Sequence, residues 1–503
     1  MLILNAEKII AIDQSTSGTK VLLVHKNGKI LKTLSQEHRQ IYPHSGWVEH
    51  DPNEIYENVK SLLKKIVAEL ENGKQELAGI SITNQRETVV VWDKYTGEPL
   101  YNAIVWQCRR TASMCEQLKK KGFEGVIREK TGLTIDPYFS ATKIKWILEN
   151  ETQGINEKMK EDRILIGTMD SWLMWKLTNG HIHATDYTNA SRTLLFNINN
   201  LDWDSELLEI FGLDRNMLPN VRASDEFFGN ISDIQELERL PLSGVIGDSQ
   251  GALFGQKCFE KGEVKATFGT GTSLMMHAGE KKPENVSGLV NTIAWKLRGQ
   301  SVCYGVEGII HSTGDTLNWI RNNLQLFHNF SECDAILNEI SDNEGVYLVP
   351  AFVGLGIPYW DPNARAAIFG VTRSTKKAHI IRAGLESIAY QVKSASKVIE
   401  DKSSVALSEL KVDGGAIQNK FLMQFQADIL NCKVVVPQIK ELSAMGSFYL
   451  AGLAFGFWHS LDEIKSIHNN EQVYAPKMNI ETRDTLYQKW EKYVKKVLTT
   501  AEV

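Results

Sequence analysis

Residues 8–24 read KIIAIDQSTSGTKVLLV, and residues 264–276 read VKATFGTGTSLMM. Each is a largely apolar run that breaks at a short stretch of small residues and then resumes, the pattern of two strands folded back on one another. In the first, the run 8–12 meets Asp13, turns through Gln14-Ser15-Thr16-Ser17-Gly18-Thr19 and continues over 21–24 to an Asn27-Gly28 turn, so three antiparallel strands open the chain. In the second, 264–268 turns through Gly269-Thr270-Gly271-Thr272-Ser273 into Leu274-Met275-Met276. The same hairpin recurring half a chain later implies two related halves. A third turn, Gly414-Gly415, follows the run 410–413 and leads past Asn419 into a helical pattern over 421–430 and a strand over 433–436, a βαβ element with its glycines where the helix begins.

Working outward, 503 residues with 43% hydrophobic and 23% charged content describe a soluble globular chain of two or more domains, neither disordered nor a disulfide mini-protein. Lys plus Arg number 56 against 61 Asp plus Glu, a net charge of -5, so no overall field gathers nucleic acid or anionic lipid. The longest uncharged apolar stretch, 346–360, is broken by Pro350, Gly354, Gly356 and Pro358 and falls short of the roughly 18 residues of a membrane span. The first twelve residues hold Asn5, Glu7 and Lys8 without a basic leader, which predicts a cytoplasmic protein with no secretion signal. Six cysteines without a CxxC pair read as reduced core thiols, and His181-Ile182-His183, with strand alternation and no third ligand nearby, reads against a metal.

Amphipathic helices such as 53–70 and 116–120 and hairpins such as 88–92 with its Thr96-Gly97 turn make the class α/β. The division is placed after Gly255, giving domains 1–255 and 256–503, and Leu486, Trp490, Tyr493, Val494 and Val497 predict a surface helix over 482–498 docked on the second domain.

The two small-residue turns, 13–19 and 269–273, offer backbone N–H groups and hydroxyls suited to phosphate, although either alone is also what a hairpin needs. Neither has P-loop or GxGxxG spacing, so a nucleotide held between two hairpins is the better reading. Asp13, at the end of a buried strand, could hold Mg²⁺ through water or form an Asx turn. Asp248, in Gly247-Asp248-Ser249-Gln250-Gly251, stands either at the ligand end of a strand or as a helix N-cap. Arg86-Glu87 suits a polyhydroxyl ligand or a surface ion pair, and Trp106 and Tyr138 are core packing by default.

With these residues in view, the chain resembles the FGGY carbohydrate kinases, and among them the glycerol kinases, from about Ile9 to the final helix. The segments that carry the resemblance are ITNQRET (82–88), YNAIVWQCRRTA (101–112), YFSATKIKWILEN (138–150), TDYTNASRT (185–193), GDSQGALFGQ (247–256), PYWDPNARAAIFG (358–370) and VDGGAIQNKFLMQFQADIL (412–430). It implies two ribonuclease-H-like domains of the actin-like ATPase type flanking a catalytic cleft, and ATP-dependent phosphorylation of glycerol or a related small polyol or ketose such as erythritol or dihydroxyacetone. By the same resemblance Asp248 is the general base. Arg86, Glu87, Trp106 and Tyr138 bind the polyol with it, and Asp13 is the metal-associated carboxylate for Mg²⁺. Thr16, Ser17, Gly269 and Thr270 face the phosphates of ATP, and Gly314, Gly415 and Asn419 line the adenosine site with Asn318 near the nucleotide. A homo-oligomer, dimer or tetramer, is implied as well. The chain departs from the pattern at Ser273, where a phenylalanine is usual, at Ser249, at Ser15 and at Asn318, and 231–240 replaces a glycine-rich regulatory loop, so neither allosteric sugar-phosphate control nor phosphocarrier modification is expected. The rivals are a nucleotide-gated actin-like scaffold with no polyol pocket and a kinase fold that mainly hydrolyses ATP.

Overall fold

Strand Lys8–Gln14 is buried from Ile9 onward because it lies inside a sheet covered on both faces. It runs antiparallel to Gly18–His25 and parallel to Leu77–Asn84, which in turn pairs in parallel with Pro241–Gly247. In this computed structural model, which describes residues 6–150, 154–285, 288–330, 332–361, 363–403, 407, 409–467 and 471–499, the first sheet has six strands, with Phe227–Asn230 at one edge and Ile30–Glu37 at the other. The strand's alternation serves two cores. Ile10 and Ile12 face the helices Pro52–Ala68 and Met169–Leu177, while Ile9 and Ala11 face the helix Leu442–Phe455. Helix Pro52–Ala68 starts where Asp51 accepts hydrogen bonds from the N–H groups of Asn53 and Glu54 and proline fills the first position.

A second sheet of seven strands repeats this plan. Its hairpin Val264–Phe268 and Thr272–Gly279 is antiparallel, its strand Glu409–Gly414 runs parallel to Val264–Phe268, and Lys433–Pro437 runs parallel to Glu409–Gly414. The predicted βαβ element is there, with helix Lys420–Leu430 between the last two strands and Asn419 capping it through the Leu422 N–H. The C-terminal helix spans Ile480–Val497, and Trp490 and Val494 are fully buried against the second domain. The His181–His183 segment is not yet strand, which begins at Ala184. His183 instead hydrogen-bonds the Ile166 carbonyl at 2.9 Å and sets its ring edge-on to Trp92, and no metal-ligand cluster occurs among the described residues.

The halves meet where the helices that follow their last parallel strands cross. Asp248–Gly255 follows Pro241–Gly247, and Leu442–Phe455 follows Lys433–Pro437. They touch main chain to main chain: a Cβ on Gly446 would overlap the Gly251 carbonyl oxygen, and one on Gly255 would overlap the Leu442 carbonyl oxygen. Glycine is required here by proximity, since none of these positions has a positive φ. Gly446→Ala is therefore expected to destabilise the protein by about 1–3 kcal/mol through overpacking against backbone that cannot retreat. Gly125→Ala, in helix Glu124–Thr131 with open space around it, should leave the thermal unfolding temperature unchanged or slightly raised. Equal unfolding temperatures for the two variants would contradict the close crossing.

Candidate active site

Neighbouring strands of the first sheet end side by side, and the residues at or just beyond those ends converge on one cleft. Asp13 is the last residue but one of the first strand and lies opposite Thr83, Arg86 and Glu87 come just after Asn84, and Asp248 comes directly after Gly247, which pairs with Asn84. The second sheet answers with one face. Thr267 lies across from Ser273 on one side and Asp413 on the other, and Lys265, two residues before Thr267, shares that face and aligns with Met275, itself opposite Glu307. Between the two sheets is a cavity of about 380 Å³ whose walls include Arg86, Glu87, Trp106, Tyr138 and Asp248, and also Asp13, Thr16, Lys265 and Ser273.

Arg86 and Glu87 do not form the surface ion pair that adjacent opposite charges allow; they are 5% and 1% exposed. Burial on this scale requires charges to be matched. Glu307 does so from the second sheet, accepting from Arg86 Nη2 at 2.8 Å and standing 2.8 Å from Arg192 Nη2 through its other oxygen, while Arg192 Nε donates to Glu87 at 2.6 Å. Burial works to raise the Glu307 pKa, but Arg192 and Arg86 pull it down to about 2. Arg86 Nε also lies 3.3 Å from the Asp248 carboxylate. Asp248 is the first residue of its helix rather than the N-cap, which is Gly247; its Oδ1 accepts from the Ser249 N–H at 2.7 Å, and its side chain is 38% exposed to the cleft. That enclosed surrounding raises its pKa, with Arg86 opposing.

Trp106 and Tyr138 are not plain core residues. Their rings stand edge to face at 5.4 Å on one wall, Trp106 Nε1 donates to Thr16 Oγ1 at 2.9 Å, and the buried Lys143 fixes Tyr138 by donating to its carbonyl at 2.5 Å and to that of Phe139 at 2.9 Å. Across from them is a chain of polar contacts, Lys265 Nζ to Ser249 Oγ at 2.8 Å, Ser249 to Ser273 at 3.3 Å, and Ser273 to Glu307 at 3.1 Å.

A second cavity of about 590 Å³ gathers Gly269, Thr270, Gly314, Asn318, Gly415 and Asn419, with Leu317, Phe330 and Leu385 supplying apolar wall. The Gly314 N–H donates to the Gly269 carbonyl at 3.0 Å, and a Cβ there would come within 2.6 Å of that oxygen, so the second hairpin turn and the helix Gly314–Asn322 are held in direct contact. The two cavities adjoin at the Gly414-Gly415 turn, since Gly414 and Thr267 line the first and Gly415 and Phe268 the second. Of the residues singled out, Ser17 lines neither: it is exposed on the outer side of the turn whose inner side carries Thr16.

Asp13 fits a role beside a cation. It is 8% exposed, and burial, with Asp248 and Glu441 adding to it against Lys20, raises its pKa to about 7. A buried carboxylate close to other acids and next to hydroxyls is what Mg²⁺ takes when phosphates supply most of its ligands. Sequence reading passed over Lys20, Arg192, Lys265 and Glu307. The available signal for two of them was a single charge inside an otherwise apolar strand, Lys265 in VKATF and Glu307 in VCYGVEGII.

The sequence matches the profile of the FGGY family of carbohydrate kinases, N-terminal domain, over residues 8–255, and that of the C-terminal domain over residues 264–455. The chain belongs to this family. It is 49% identical over 491 residues to "Glycerol kinase 2" of Thermotoga maritima, covering 97% of this chain and 98% of that one. To the glycerol kinase of Bacillus subtilis it is 48% identical over 488 residues, again 97% and 98% covered. Among solved structures, Plasmodium falciparum glycerol kinase with ADP superposes with a TM-score of 0.94 at 37% identity, covering 99% of each chain. A xylulose kinase from Lactobacillus acidophilus, at 22% identity and TM-score 0.86 with 97% of each chain covered, shares the fold. The fold of this FGGY kinase is the two-domain actin-like ATPase fold, and the chain is an ATP-dependent polyol kinase.

Glu307→Gln removes the charge that two buried arginines share. A loss of about 3–5 kcal/mol in stability is expected, read by urea unfolding, whereas a loss below about 1 kcal/mol, the scale of an exposed pair, would show that Arg86 and Arg192 do not depend on it.

Proposed function

We propose that this FGGY kinase transfers the γ-phosphoryl group of ATP to a primary hydroxyl of glycerol, giving glycerol 3-phosphate. The observation that carries the reading is the meeting of Arg86, Glu87, Trp106, Tyr138 and Asp248 in one cavity that adjoins a second one built on the Gly269-Thr270 turn. The full-length similarity to glycerol kinases supports the choice of acceptor.

In this reading Arg86 donates to acceptor hydroxyls and Glu87 accepts from them, while the carbon chain packs on Trp106 and Tyr138. Asp248 orients the attacking hydroxyl and takes its proton. A raised pKa suits that task, since a carboxylate nearer neutrality is the better proton acceptor. Thr16 and the backbone of residues 269–270 hold phosphate oxygens, Gly314, Asn318, Gly415 and Asn419 seat the nucleoside, and Asp13 attends Mg²⁺, whose charge the phosphates require when bound. Phosphoryl transfer depends on positioning and charge stabilisation, and this site supplies both. The enzyme is read as cytoplasmic and as a homo-oligomer, the latter on the family resemblance alone; among the described residues no helix is long and apolar enough to cross a membrane.

A second acceptor reading rests on the hydroxyls of Ser249 and Ser273, which give the wall opposite Trp106 a polar surface where an aromatic would confine a three-carbon chain. Measuring ADP release with a panel of three- to five-carbon polyols and ketoses ranks the acceptors, and absence of stimulation by every member would reject the kinase reading in favour of a scaffold or an ATPase. Ser273→Phe should raise kcat/KM for glycerol relative to a four-carbon polyol by about 10-fold; an unchanged ratio would place Ser273 away from the acceptor. Asp248→Asn should lower kcat by about 100-fold or more, the range for loss of a general base, with glycerol affinity held within several-fold. Retention of about a tenth of wild-type kcat, well above that range, would assign the base elsewhere.

A further inference from the structure

Four cations line the first cavity, and three of them are accounted for. Arg86 is held by Glu307, Asp248 and Glu87, Lys20 pairs with Glu441 at 2.8 Å, and Lys440 is exposed. Lys265 is different. It is 1% exposed, yet no carboxylate lies within 4 Å of it among the described residues. Its ammonium donates to Ser249 Oγ at 2.8 Å and to Thr267 Oγ1 at 2.9 Å, and no acceptor among the described residues takes its third N–H.

A buried ammonium without a counter-ion is unfavourable, and an unbranched apolar side chain of the same length would fill the space at lower free energy. The strain shows in its proton affinity: burial lowers the Lys265 pKa even though Asp413, Glu307 and Asp248 are near enough to pull it up. Asp413 is itself engaged by Gln256. No carboxylate among the described residues pairs with Lys265 at rest, in the cavity that Asp248 and Thr267 also line, beside the Gly414-Gly415 turn where the acceptor cavity adjoins the nucleotide cavity. That junction is where a phosphoryl group passes between the two.

We infer that Lys265 is a catalytic residue that contacts an oxygen of the phosphoryl group in flight, supplying the missing counter-charge only when that group arrives. This rests on the phosphotransferase reading above. In the step, the acceptor hydroxyl oxygen forms a bond to the γ-phosphorus, the bond from that phosphorus to the bridging oxygen of ADP breaks with its electron pair staying on ADP, and the hydroxyl proton passes to Asp248. Lys265 keeps all three of its protons and contributes charge alone. Because the phosphoryl oxygens carry the charge of a loose transition state, a fixed cation there stabilises the transition state more than bound glycerol, which has no charge.

The test compares Lys265→Met, which keeps length and loses both charge and hydrogen bonds, with Lys265→Gln, which keeps a donor for Ser249 and loses the charge. Both should lower kcat by about 100-fold, the effect of losing one transition-state donor, while KM for glycerol stays within about threefold. Calorimetry on the same variants should show affinity for glycerol 3-phosphate falling about 10-fold or more and affinity for glycerol unchanged, a readout that needs no turnover. ADP affinity serves as the check that each variant is folded. The inference is overturned if Lys265→Gln keeps kcat within about fivefold of wild type, or if either variant loses glycerol and glycerol 3-phosphate affinity equally, since Lys265 would then only shape the acceptor wall. Failure of the wild-type enzyme to turn over any polyol would instead reject the phosphotransferase reading itself.

Discussion

One carboxylate holds the two halves in register. Glu307 belongs to the second sheet, but the guanidinium groups it faces, Arg86 and Arg192, belong to the first domain, and all three are nearly inaccessible to water. Separating the halves at this point would leave Glu307 with neither arginine and the two guanidinium groups with only Glu87 and Asp248 to balance them. The pairing also decides what the acceptor cavity looks like. With both terminal nitrogens tied to Glu307, Arg86 turns its Nε edge toward Asp248, and the two side chains become neighbours in the cavity. The glycine crossing below performs the complementary task, bringing the Asp248–Gly255 helix so close to Leu442–Phe455 that no side chain intervenes.

Symmetry explains why the site has two unlike sides. Both sheets place a hairpin beside a row of parallel strands, so both offer a turn to the same cleft. The first turn is rich in hydroxyls and follows a strand that carries Asp13, whereas the second is rich in glycine and sits against a helix start. One plan, written twice with different side chains, yields one wall of hydroxyls and charged groups and one where glycine lets main chain come close.

Much of this was legible before any coordinates. Hairpins announce themselves locally through turn residues and alternation, which is why 8–24 and 264–276 could be read, and the helix at 480–497 through its apolar spacing. The segments of resemblance located Asp248, Arg86, Glu87, Trp106 and Tyr138, and the cavity contains all five. Reading fell short where the meaning of a residue lies in its distant partner. Arg86-Glu87 looked like a surface pair because Glu307, 221 positions from Arg86, is invisible to local pattern. Lys265 passed as an ordinary strand residue, because burial of a charge is a property of the packed sheet and not of VKATF. Ser17 lies off the cavity for the opposite reason: composition marked the whole turn, but of the two neighbours Thr16 lines the cavity and Ser17 is exposed.

The hydrogen bond from Trp106 Nε1 to Thr16 Oγ1 ties the indole on one wall of the first cavity to a hydroxyl of the first hairpin turn. Both line the same cavity, so a ligand on the indole face bears on the hydroxyl through one donor and one acceptor. Thermodynamic linkage makes such a connection symmetrical: whatever advantage bound nucleotide gives the acceptor, the acceptor returns to the nucleotide in equal measure. On the proposed reading, in which the indole face packs against the acceptor's carbon chain and Thr16 meets a phosphate, this bond favours the ternary complex over either binary one and so keeps water from standing in for the acceptor.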